Sequence, residues 1–67
     1  MWRLTDRSKN PREVAEAYAA ELGRTVDPGT VAGKWDGYNF AGEFRLADGV
    51  RWYSLRCEGS TYTVEPK

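Results

Sequence analysis

Three short turn signals, Asp36-Gly37, Asp48-Gly49 and Gly59-Ser60, punctuate the second half of the sequence, and the residues between them alternate apolar with polar side chains. Dipeptides of this kind favour two-residue hairpin loops, and period-two alternation marks strands that bury one face. The spacing predicts four antiparallel strands joined by three hairpins. With two-residue loops the register is forced: Trp35 faces Tyr38, Ala47 faces Val50 and Glu58 faces Thr61. Counting outward pairs Gly33 with Phe40 and Val31 with Gly42, then Phe44 with Tyr53, Gly42 with Leu55 and Phe40 with Cys57, then Cys57 with Tyr62 and Leu55 with Val64. All of these fall on one side of the sheet. A slip of one residue in any hairpin would throw its apolar set to the other side, so the three turns constrain one another.

Upstream the period changes. Asn10-Pro11-Arg12-Glu13 is a helix start, with a capping side chain, a proline preset for the first turn and a carboxylate at the positive end of the helix. Val14, Tyr18 and Leu22 recur every four residues with Ala15 beside them, and Gly23 follows where a left-handed stop is wanted, which predicts a helix over 11–22. The expected fold is a single α+β domain over residues 1–67: an N-terminal amphipathic helix packed on a four-stranded antiparallel β-meander. Residues 1–5, with Trp2 and Leu4 on one side and Arg3 and Thr5 on the other, have the pattern of a short additional edge strand. The expected inner face is Val31, Trp35, Tyr38, Phe40, Phe44, Leu46, Tyr53, Leu55, Cys57, Tyr62 and Val64, closed by Val14, Ala15, Tyr18 and Leu22.

Sixty-seven residues leave room for one core. The single cysteine excludes an internal disulfide, and the absence of histidine removes the usual metal-ligand sets, so no metal and no cofactor is expected. Charges where a signal peptide needs its apolar stretch, and apolar runs too short for a membrane span, point to a cytoplasmic protein with no membrane partner. Ten basic residues balance ten acidic ones, which argues against a chain whose main business is coating nucleic acid. The balance is uneven: residues 1–12 hold Arg3, Arg7, Lys9 and Arg12 against Asp6 alone, whereas residues 13–29 hold Glu13, Glu16, Glu21 and Asp27 against Arg24 alone.

The outer sheet face collects what the core does not use. In the derived register Arg45 lies across from Trp52, Glu43 across from Ser54, and Arg56 further along the same strand, with Lys34 also outward. Tryptophan and arginine are over-represented at binding hot spots, so Arg45, Trp52, Arg56, Glu43 and Lys34 form the candidate contact patch. The same Arg45–Trp52 pair reads equally well as a cross-strand cation–π contact that only stabilises the sheet, and packing of Trp2 on Trp52 would leave no patch. Without histidine, with Cys57 turned inward and Glu43 and Glu58 far apart on their strands, no nucleophile or acid–base pair is visible, so the chain is not expected to be an enzyme. A small non-catalytic binding module remains, an inhibitor or adaptor that docks on a larger protein. Phages encode inhibitors of this size against host defence or transcription machinery, a likeness of size class and not of residues. The alternative is a weak single-stranded nucleic-acid-binding sheet that stacks bases on Trp52 and seats phosphates on Arg45 and Arg56.

Overall fold

A computed structural model describes residues 1–67. Strand β1 (Trp2–Thr5) leads to helix α1 (Pro11–Glu21), a 3-10 turn at Pro28–Thr30, and strands β2 (Ala32–Asp36), β3 (Asn39–Arg45), β4 (Trp52–Glu58) and β5 (Thr61–Pro66). The sheet is antiparallel with order β1-β5-β4-β3-β2, five strands where the turn spacing alone gives four. The alternation of residues 1–5 is a true strand: β1 pairs with β5, Trp2 opposite Val64 and Leu4 opposite Tyr62.

The helix starts as its sequence dictates. Asn10 accepts from the Glu13 amide at 2.9 Å while the Glu13 carboxylate accepts from the Asn10 amide at 3.0 Å, a capping box that satisfies two otherwise free donors. Glu21 is its last residue, Leu22 is the cap, and Gly23 takes φ +68° beyond it. Leu22 is therefore exposed rather than core, and Ala19 takes the buried position instead.

Two of the three ladders follow the derived register. Phe40, Gly42 and Phe44 oppose Cys57, Leu55 and Tyr53, and Leu55, Cys57 and Glu58 oppose Val64, Tyr62 and Thr61. The middle connection is longer than two residues, however, and Ala47 does not pair with Val50. The ladder ends at Arg45 opposite Trp52, because Leu46 bridges to Val26, the Ala47 amide donates to the Thr25 carbonyl, and the Asp27 amide donates to the Arg45 carbonyl. Asp48, not Gly49, takes the left-handed backbone at φ +65°.

The first hairpin corrects the register. Its loop is Gly37-Tyr38, with Gly37 at φ +61° in the first central position, as a type II′ turn requires. Asp36 thus faces Asn39, Trp35 faces Phe40 and Gly33 faces Gly42, in place of the expected pairs Trp35–Tyr38, Gly33–Phe40 and Val31–Gly42. The glycine pair makes space for one ring: a Cβ on Gly33 would sit 2.5 Å from Phe40 Cζ, and one on Gly42 2.7 Å from Phe40 Cε2. Phe40 lies flat across both.

The core comprises Val14, Ala15 and Ala19 of the helix against Phe40, Phe44, Leu46, Tyr53, Leu55, Cys57, Tyr62 and Val64. Trp2, Leu4, Tyr18, Val26 and Val31 are half-buried around it. Trp35 and Tyr38, expected inside, are 50% and 79% exposed. The cause is β1. Its inward residues Trp2 and Leu4 need cover, and the Trp2 ring meets Tyr18 edge-on with centroids 5.5 Å apart, while the Trp2 indole N–H donates to the Glu21 carboxylate. The Tyr62 hydroxyl donates to the Lys9 carbonyl at 2.8 Å and fixes the approach to the helix over β5. The helix packs over β5, and its Tyr18 meets Trp2 of β1, Tyr53 of β4 and Phe44 of β3. Centred on the β1–β5–β4 side, it leaves the inner side of β2 bare.

Candidate functional site

Of the five outer-face residues singled out, the structure brings three together. The Arg45 guanidinium lies 5.3 Å from the centroid of the Trp52 ring, and Trp52 remains 36% exposed. Glu43 is one position along this face on β3, opposite Ser54, where Lys67 Nζ reaches its carboxylate at 2.5 Å. Trp2 lies on the other side of the sheet against Tyr18 and does not cover Trp52. Arg45 is nevertheless committed to the fold: its guanidinium stands 4.0 Å from Asp27, and its backbone N–H donates to the Thr30 hydroxyl at 2.7 Å. Arg56 and Lys34 occupy a different row. Ala41 separates them, Thr63 lies on the far side of Arg56, and Arg3 completes a line of three cations across the sheet. Arg56 stands four positions along β4 from Trp52, about 13 Å at strand rise.

The register and composition do not expose a second surface, on the inner side. The uncovered β2–β3 tip, the β4–β5 turn and the segment between β1 and α1 enclose a cleft of about 360 Å³. Trp35 and Tyr38 line it from the hairpin, Arg7 and Lys9 from the opposite segment, and Ser60 and Tyr62 from its floor and end. The cationic wall is held in place. The Asp6 carboxylate accepts from the Ser8 amide at 2.9 Å and hydroxyl at 2.6 Å, contacts that hold its pKa below the usual carboxylate range. The Tyr62 hydroxyl and the Asn10 cap fix the next residues. The Trp35 ring rests on Phe40 with centroids 5.2 Å apart. No carboxylate lines the cleft, and neither Arg7 nor Lys9 has an ion-pair partner. Two signals in the sequence bear on this surface: the inward pair Trp2 and Leu4, which claims the helix for the far side of the sheet, and the basic stretch of residues 1–12, which supplies Arg7 and Lys9.

Cys57 is 3% exposed, its thiol donates to the Gly59 carbonyl at 3.5 Å, and burial pushes its pKa above the ordinary value, partly offset by the neighbouring Tyr62 hydroxyl. Burial likewise raises the phenols of Tyr18, next to Tyr53, and of Tyr62, next to Cys57. A raised thiol pKa and an inward position both lower the supply of reactive thiolate. Thiol reagents should therefore label the native chain far more slowly than the urea-unfolded chain, and equal rates would place Cys57 outside the core. The same three groups make stability fall in alkali. The folded chain keeps protons that the unfolded chain releases, so their contribution is intact below the ordinary values of 9.0 and 10.0 and is lost as pH rises through the higher folded values. Urea midpoints that rise with alkalinity would contradict this.

No helix is long and apolar enough to cross a membrane, and no group of three or more cysteine, aspartate or glutamate side chains is placed to hold a metal ion. No family model matches the chain, and no match is found among curated proteins or solved structures.

Proposed function

We propose that this chain is a small non-catalytic protein-docking module, an inhibitor or adaptor that acts by occluding or bridging a larger protein. The observation that carries the reading is the bare inner side of β2 and its turn, where Trp35 and Tyr38 stand in water beside the cleft at 50% and 79% exposure. Tryptophan, tyrosine and arginine concentrate at the centres of protein interfaces, and a mixed polar rim suits such a centre better than uniform charge. The outer patch of Arg45, Trp52 and Glu43, with Arg56 and Lys34 in the neighbouring row, supplies a second and more polar contact surface on the same reading.

The test uses tagged protein as bait in nuclease-treated lysate, beside Trp35→Ala. Trp35 rests on Phe40 at an exposed edge, so its removal should cost about 1 kcal/mol or less, well below the figure for a core aromatic. A stoichiometric protein retained by the wild type and lost by Trp35→Ala supports docking through the bare face. Retention unchanged by the substitution moves docking elsewhere, and absence of any protein partner counts against the module itself.

A single-stranded nucleic-acid partner has one observation in its favour, the cross-strand row Arg3, Arg56 and Lys34, none of which is ion-paired. Rows on either side carry Glu58 and Asp36, and Glu65 and Glu43, which repel a phosphate backbone. Steep loss of binding with added salt would favour that partner.

A further inference from the structure

We infer that the cleft and the free edge of β2 together receive an extended acidic segment of the partner protein, added as a sixth strand with an aromatic or apolar side chain seated between Trp35 and Tyr38. The inference rests on the docking reading above and names its partner's chemistry.

Three observations converge. First, β2 pairs only with β3, and outside that ladder no backbone hydrogen bond involves residues 32–36. All five residues are exposed. In an antiparallel pair alternate residues turn their N–H and C=O groups outward, so this edge offers unused donors and acceptors over about 17 Å, with no proline to block them. Second, the edge ends at two aromatic rings that line a cavity, and strand addition gains its specificity from pockets for alternate side chains. Third, the facing wall carries Arg7 and Lys9 with no carboxylate within 4.0 Å, and Asp6, which acts on Lys9 from longer range, stays outside the lining. Charge complementarity selects aspartate or glutamate on the incoming strand.

Other occupants fit less well. A second copy adding β2 to β2 would present only Gly33 and Trp35 on the inner side, with no carboxylate for Arg7 and Lys9. Nucleic acid leaves the open backbone edge unsatisfied, and the chain carries no net charge.

The probe is the blocked peptide acetyl-Thr-Asp-Thr-Phe-Thr-Asp-Thr-amide, which presents acid, ring and acid on one side of a strand. Amide NMR shifts should move in residues 32–36 and at the Trp35 indole. Replacing both aspartates by asparagine, or making Arg7→Ala with Lys9→Ala, should weaken binding by about tenfold or more, as lost charge-assisted contacts do. Methylating backbone nitrogens in one alternate phase should abolish binding while the other phase is tolerated, a pattern that side-chain contact alone does not produce. Equal binding by both methylated peptides or by the asparagine peptide would overturn the inference. So would shifts in these residues caused only by an oligothymidine of equal charge, or by self-association of the chain.

The lysate bait separates this idea from the broader one. A protein retained equally by the wild type and by the Arg7→Ala, Lys9→Ala chain leaves docking standing and removes the acidic strand. If the wild type retains no protein, docking falls by that result, and the peptide series alone decides whether the cleft accepts an acidic strand.

Discussion

Phe44→Ala should destabilise the chain by about 3–5 kcal/mol. Phe44 has no exposed surface, its ring stacks on Tyr53 with centroids 5.5 Å apart and an 18° interplanar angle, and Tyr18 meets it edge-on at 6.0 Å. It is therefore the joint between the middle of the sheet and the helix. Removing a buried phenylalanine costs about 3–5 kcal/mol, and domains hold roughly 0.05–0.15 kcal/mol per residue, so one substitution uses much of the reserve of a chain this short. Phe44→Leu, which keeps most of the volume, should lose about 1.5 kcal/mol or less. Urea titration followed by tryptophan fluorescence measures both. A loss under about 1 kcal/mol for the alanine variant would mean that the ring is not the packing centre.

Gly42→Ala should be the most damaging change outside the core. A Cβ at this position collides with the Ala32 carbonyl oxygen and lies 2.7 and 2.8 Å from two atoms of the Phe40 ring. The ring atoms are the far end of a side chain, whereas the carbonyl belongs to the strand opposite and moves only if the strands separate. Overpacking typically costs about 1–3 kcal/mol, and a clash with backbone belongs at or above the top of that range. Because β2 contributes no core residue, the expected form of the damage is local: amide exchange should accelerate across residues 32–36 while β4 and β5 stay protected. Gly37→Ala is the matched control. Its Cβ would meet nothing within 4 Å, so only its positive φ resists substitution, at about 1–2 kcal/mol. Equal losses at the two positions, with β2 still protected in both, would refute the close approach.

The two turns the sequence reads differently from the structure show where periodicity stops being informative. Sliding the first loop from Asp36-Gly37 to Gly37-Tyr38 moves every cross-strand partner by two residues, and two residues is one full period of the strand. The apolar face therefore survives the error intact, which is why agreement among faces could not detect it. The ladders between β3 and β4 and between β4 and β5 pair as expected because their connections stay centred on Asp48-Gly49 and Gly59-Ser60. Burial is a separate matter from facing. Trp35 turns toward the inner side as its alternation requires, yet inner means buried only beneath the helix, and the helix follows Trp2 and Leu4 to the other side. The cleft inherits that uncertainty whole. Arg7 and Lys9 lie far in sequence from Trp35, and the β1–β5 ladder with the tie between Tyr62 and the Lys9 carbonyl brings them to one place.

The strand order also sets a timetable. The first strand to be synthesised, β1, hydrogen-bonds only to β5, the last of the five. A nascent chain thus displays Trp2 and Leu4 while β2, β3 and β4 are being made, with only the helix at hand to shield them. The hairpins from β2 to β4 need only near neighbours and have everything they require earlier. Pairing with β5 gives Trp2 and Leu4 their place beneath the helix and leaves the far end of the sheet uncovered, so the surface proposed for docking depends on the sheet being complete.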